Sequence, residues 1–150
     1  MRTRKRGFVL IAMSVSMVLM LAFLGLAFDI GRIYIARNEA QVFTDAAAMT
    51  AATKLDGSAE GLDTARAAVD RLPHRWNLGT QKFTGVVVEF SSDGENWAPA
   101  PEEASRVQFA RVTAPANDID IMFLRAVGGP DSFTVPARSV AAGDPVRLVE

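Results

Sequence analysis

Residues 7–28 read GFVLIAMSVSMVLMLAFLGLAF, a stretch without a single charge. Dropping Gly7 leaves 21 residues, 8–28, and as a helix they span roughly 32 Å. A bilayer's hydrocarbon core is about 30 Å thick. Twelve of the 21 are Leu, Ile, Val or Phe. At mid-membrane these favour insertion by roughly 5 kcal/mol in total. Ser14 and Ser16 are compatible with lipid, because a serine hydroxyl in a helix bonds back to a carbonyl one turn earlier. The segment therefore predicts a transmembrane helix.

Working outward, Arg2, Arg4, Lys5 and Arg6 crowd the near side, and only Arg32 and Arg37 follow closely on the far side. The positive-inside bias keeps residues 1–7 in the cytoplasm and exports the remainder. Two processing routes stand beside a retained anchor. Gly25-Leu26-Ala27 is a small-x-small triplet open to signal cleavage, although the apolar run exceeds a signal's usual 7–15 residues. The Gly7-Phe8 junction fits prepilin-type cleavage, but Ala12 stands where pilins usually carry Glu.

No proline interrupts residues 8–72. Beyond the span, Ile30, Ile33, Ala36, Ala40, Phe43, Ala47 and Ala51 recur at steps of three or four, which is one helical face. Arg37, Gln41 and Asp45 form a polar line on another. A helix from Phe8 to Leu55 would be roughly 70 Å long, ended by Asp56-Gly57 with Gly as cap. The cluster Ala46, Ala47, Ala48, Ala51 and Ala52 reads either as plain helix propensity or as a small-residue face that admits a close neighbour.

The net charge of −1 conceals an asymmetry: residues 29–150 hold 12 basic and all 17 acidic residues, a net of −5. No basic patch marks a nucleic-acid partner. With no cysteine, disulfides, thiol catalysis and thiolate metal sites are excluded.

The block Gly25-Leu26-Ala27-Phe28-Asp29-Ile30-Gly31-Arg32-Ile33-Tyr34, with Arg37, Gln41, Asp45-Ala46-Ala47-Ala48 and Ala51-Ala52, resembles the N-terminal Tad region of Tad pilus-assembly proteins, most of all the TadG-like group. The shared pattern is a basic start, one span, Asp-x-Gly-Arg-x-Tyr, then Gln-x-x-x-Asp-Ala-Ala-Ala. It covers residues 4–56; Asp63 to Leu72 and Phe123-Leu124-Arg125 resemble the group more loosely. Larger TadG proteins carry a C-terminal von Willebrand A domain, for which 150 residues leave no room. The resemblance implies a bacterial inner-membrane protein that assembles or anchors a pilus or secretion apparatus, and no enzyme. It also implies helix packing through Asp29, Gly31, Arg32, Tyr34, Gln41, Asp45, Ala47, Ala48 and Ala51.

The exported part reads as a small α+β domain. Residues 58–72 predict a second helix, with Leu62, Ala65, Val69 and Leu72 on its inner face, Arg66 and Asp70 paired outside, and Pro73 as its stop. Residues 82–91 predict a strand, followed by the turn Ser92-Asp93-Gly94. Residues 106–113 predict a second strand. Asn117 or Asp118 caps a short helix bearing Ile119, Met122, Phe123, Ala126 and Val127, stopped by Gly128-Gly129-Pro130. Residues 132–141 predict a third strand, with Pro136 at an edge or bulge. A crossover through the short helix allows the second and third strands to lie parallel. The expected layout is pilin-like: a long transmembrane helix, a second helix, and a three-stranded sheet with one inserted helix. Its segments are 1–7 cytoplasmic, 8–28 in the membrane, 29–56 as the periplasmic extension, 57–143 as the exported domain and 144–150 as a frayed tail.

Catalytic chemistry finds little footing. His74, the sole histidine, stands in a connecting segment without partners. Asp118 and Asp120 read as charge at a helix start. Asp93, Glu95 and Asn96 match no calcium loop and read as a solvated turn. Gly128-Gly129 lacks any phosphate-loop context. Trp76 and Trp97 read as core residues before interface residues. No cofactor is expected. The expected function is a structural or assembly subunit of a Tad-type (Flp) pilus or related envelope apparatus. Its expected partners are the lipid bilayer, other Tad subunits and further copies of itself. The alternative is a membrane-anchored periplasmic module that binds a small ligand or envelope component.

Overall fold

The computed structural model describes residues 4–73, 83–114 and 117–143. Arg2, His74, Trp76 and the tail 144–150 lie outside them, and so do the expectations placed there. The fold is α+β. The chain divides into two compact units, Met1–Tyr34 with Asp118–Phe133, and Ile35–Asn117 with Thr134–Glu150.

Helix α1 (Arg4–Ala52) is 49 residues long and contributes to both units. Nothing in it breaks a helix, and Ser14 Oγ donates to the Leu10 carbonyl at 2.9 Å, as the span requires. Its last turn tightens: Lys54 N–H donates to the Ala51 carbonyl and Leu55 N–H to that of Ala52. The helix therefore stops at Ala52, short of the expected Leu55. Among the described residues α1 is the one helix long and apolar enough to cross a membrane. Its apolar run faces outward, with Phe8 75% and Phe23 69% exposed.

In the first unit, β3 (Asp118–Asp120) and β4 (Ser132–Thr134) pair into a two-stranded sheet. A 3-10 turn (Leu124–Val127) lies between them, ended by Gly128 at φ +88°. The expected helix over 117–127 is thus a strand and a tight turn. Asp118 and Asp120 sit on the exposed side of β3 with Ile119 buried, so they cap no helix.

In the second unit, α2 (Ala59–Asp70) starts where expected. Ser58 Oγ accepts from Gly61 N–H at 2.9 Å and donates to Asp56 Oδ1 at 2.6 Å. Leu62, Ala65 and Val69 are buried. Arg66 pairs with Asp63 at 2.5 Å rather than with Asp70. It also donates to the Pro99 carbonyl and lies 5.2 Å over the Phe90 ring. That aromatic face and carbonyl draw the guanidinium away from the C-terminal end of its helix.

The sheet of this unit has the order β1 (Val87–Ser91), β2 (Phe109–Ala114), β5 (Ala137–Ala142), antiparallel throughout. Parallel pairing of the last two, expected from a helical crossover, does not occur. The chain returns through the β3–β4 hairpin instead. Strand β1 is shorter than expected, since Gly85 takes φ +66° ahead of it. The expected third strand is split at Pro136 into β4 and β5, which belong to different sheets. Proline cannot donate to a ladder, so pairing breaks there.

Register puts Phe90 opposite Ala110, and Ala110 opposite Ala141. Val112 pairs with Ser139, and Ala114 with Ala137. Phe90, Ala110, Val112, Ala114, Ala137 and Ser139 form the buried face. Ala36, Ala40, Ala47, Ala48, Ala51 and Ala52 of α1 are buried in the same unit. Alanine on both layers brings backbones close. A Cβ on Gly143, just past β5, would stand 2.4 Å from the Ala52 carbonyl oxygen. Phe43 stacks on Phe83 with centroids 4.6 Å apart. On the outer face Arg111 bonds Glu89 across the strands at 2.7 Å and covers the Trp97 ring at 4.4 Å. Trp97 is therefore half-buried at the surface of the sheet, not in the core.

Candidate functional site

Two polar clusters fix the described part of the Tad-like block, one in each unit. In the first unit Asp29 is fully buried. Its carboxylate accepts three backbone N–H bonds, from Met122 at 3.1 Å, Phe123 at 2.8 Å and Leu124 at 2.7 Å. These are the donors at the head of the 3-10 turn, which no carbonyl inside the turn can satisfy. An anion there is the fitting partner. Arg32, three residues on, adds attraction to the same carboxylate.

The turn comes within reach because Gly25 leaves room for it. A Cβ on Gly25 would stand 2.6 Å from Phe123 Cβ. The Phe123 ring meets Phe28 edge-on, centroids 5.4 Å apart and planes at 80°. Gly25 is thus a seat for Phe123. A contact from 98 residues downstream leaves no trace near Gly25 in the sequence.

Other members of the block are less engaged. Arg32 Nη1 is buried and lacks a hydrogen-bond partner among the described residues. Gly31 has open space where a Cβ would stand. Tyr34 is 66% exposed.

In the second unit Gln41 Nε2 donates to Asp45 Oδ1 and to Ser139 Oγ, both at 2.9 Å. Thr44 Oγ1 lies 2.8 Å from the same Ser139 oxygen, and Ser139 donates to Asp45. Three side chains of α1 therefore converge on one buried serine of β5. Gln41 and Asp45 were legible as a polar helix line. Ser139 was not, because a lone serine in a strand has no distinguishing spacing. Ala47, Ala48 and Ala51, also singled out from the sequence, are buried inside this unit.

In the part of α1 that belongs to the second unit, three large apolar residues remain uncovered: Ile35 (46%), Val42 (67%) and Met49 (64%). They stand seven residues apart, so they form one stripe. Val42 also borders a groove of about 410 Å³, whose polar lining residues are Asn38 and Glu39.

The Asp93 turn is self-contained. Its carboxylate accepts from Glu95 N–H, Asn96 N–H, Asn96 Nδ2 and Ser91 Oγ at 2.7–2.9 Å. The bonds donated by Asn96, Glu95 and Ser91 hold its pKa well below the usual carboxylate range. Asp56 is lowered too, first by the Ser58 hydroxyl and then by the Ser58 N–H. Among the described residues no three acidic or histidine side chains converge as metal ligands.

Residues 7–54 match the family model for Tad, the Flp pilus-assembly TadE/G-like proteins. No curated protein and no solved structure matches the chain. The Tad segment takes in the apolar run, Asp29 and the Gln41–Asp45 pair. Over that segment the chain is similar to Flp pilus-assembly proteins, which supports a role in pilus assembly. One apolar N-terminal helix fits a single-pass membrane protein of such a system.

Proposed function

We propose that this chain is an assembly subunit of a Tad-type pilus or a related envelope secretion apparatus. It is anchored in the inner membrane by residues 8–28 with its N-terminus cytoplasmic and the rest periplasmic. It acts by association. Anchored chains share one plane, so helix faces meet edge to edge.

The observation that carries this reading is the division of α1 into two faces beyond the span. One face, Ala36 to Ala51, is buried by the chain's own domain. The other, Ile35, Val42 and Met49, stays apolar and open within the Tad match. Apolar residues at heptad spacing suit a second helix, and Tyr34 is exposed close by. Partner packing is assigned to this stripe and to Tyr34, while the alanines serve the internal layer.

The test is co-purification in gentle detergent with the other Tad components. Full-length protein is expected to bring them down. A Val42→Glu, Met49→Glu double variant should lose them while unfolding within about 0.5 kcal/mol of the parent, as exposed positions allow. A parent that elutes as a stable monomer with every Tad component unbound would contradict the proposal.

A further inference from the structure

The segment 121–129 of the first unit is an odd surface for a loop bathed in water. Met122 is 57% exposed, Phe123 49% and Val127 70%. These side chains lie beside the span. Phe123 packs on Gly25 and Phe28. Phe123 and Val127 face Val18, Leu21 and Leu26 across an apolar groove of about 380 Å³. Gly25 is three residues inside the end of the span at Phe28, about 4.5 Å along the axis, and Val18 is about 15 Å inside. Whatever surrounds Val18 and Leu26 therefore also surrounds the tip. If α1 crosses the bilayer, that medium is lipid.

The hydrogen bonds of the tip fit the same medium. Ile121 N–H donates to the Asp131 carbonyl. Those of Met122, Phe123 and Leu124 go to Asp29. Ala126 N–H donates to the Phe123 carbonyl, Gly128 to Arg125 and Gly129 to Leu124. Pro130 has no N–H to satisfy. Non-helical backbone at membrane depth is tolerated only when its polar groups are met internally, and here protein acceptors meet seven N–H groups of the tip, those of Ile121, Met122, Phe123, Leu124, Ala126, Gly128 and Gly129. The charge of the tip, Arg125, is two-thirds exposed and reaches toward Asp131 at 3.6 Å. A long cationic side chain at a membrane surface extends to the headgroups while its stem stays among apolar groups.

We infer that residues 122–127 form a wedge inserted into the leaflet nearest Phe28, with the lipid bilayer as the occupant of this apolar surface. The wedge is continuous with the lipid-facing side of α1, and Asp29 holds it in place. This rests on the reading of α1 as a membrane span. Its consequence is a second membrane contact from the C-terminal half of the chain, which fixes the depth of the helix exit.

The chain has no cysteine, so single probes can be placed without background. Val127→Cys, Leu19→Cys and Ala67→Cys are spin-labelled in the full-length protein, reconstituted in phosphatidylethanolamine–phosphatidylglycerol vesicles. Collision with oxygen and with a water-soluble nickel chelate is then compared. The Val127 probe should show an oxygen-to-nickel ratio several-fold above that of Ala67 and below that of Leu19. Asp29→Ala should shift the Val127 probe toward the Ala67 value. A Val127 probe as aqueous as Ala67, with Leu19 lipid-exposed, overturns the wedge and leaves the span intact. A Val127 probe shielded from both reagents overturns it as well, since protein and not lipid would cover the tip. If Leu19 and Val127 are both aqueous, the span fails and the wedge with it.

Discussion

Asp29 shows how far a residue's partners can lie from it in the sequence. It stands at the end of an apolar run, yet its side chain is fully buried. Its three N–H donors come from 93 to 95 residues downstream, and local sequence carries no mark of such a contact. Asp29→Ala should speed amide exchange at Met122, Phe123 and Leu124 by about tenfold or more, each N–H having lost its acceptor. Ser139 is the corresponding residue of the second unit. Ser139→Ala removes the buried bond to Thr44, while the exposed Gln41 and Asp45 can turn to water, so chemical denaturation should show a loss of about 0.5–1.5 kcal/mol. Asp93 sets an acid limit. Its carboxyl is lowered in the folded state, so its contribution is complete above the ordinary carboxylate pKa of about 4. That contribution is lost as pH falls toward the lowered folded value. The thermal midpoint should therefore drop below about pH 4, and Asp93→Asn should flatten that part of the profile.

Elements with one dominant period were legible, and elements with two competing periods were not. Residues 8–52 offered an unbroken helical pattern, and α1 keeps to it. Ser58, Leu62, Ala65 and Val69 likewise marked α2 and its cap. Around 118–121 the order Asp-Ile-Asp-Ile alternates with period two, while Ile119, Met122, Phe123 and Ala126 repeat with period three to four. The helical period predicts a helix there. In the fold, the β-branched Ile119 sits in a strand, and Asp29 holds the N–H groups of residues 122–124 at the head of a tight turn. Pro136 was legible as a disturbance, but not as the place where the chain changes sheets. The core of the sheet is predictable from burial. Phe90 is fully enclosed, and Phe90→Ala should cost about 3–5 kcal/mol in a denaturant titration.

At the scale of the whole molecule the span and its basic flank were the clearest part of the sequence, and the Tad match over residues 7–54 agrees with the span. The division of the two α1 faces beyond the membrane was not legible, because alanine fits a partner helix and an internal sheet equally well. Only the placement of the sheet decides which face the domain buries, and Ile35, Val42 and Met49 stay uncovered. All of this depends on the chain crossing the bilayer once. Substituted-cysteine labelling tests it in intact cells with a permeabilised outer membrane and an impermeant maleimide. A cysteine at Ala67, exposed on α2, should react without lysis, whereas one at Thr3 should react only after the inner membrane is broken. Equal labelling of both before lysis, or recovery of the chain in the soluble fraction, would contradict the account.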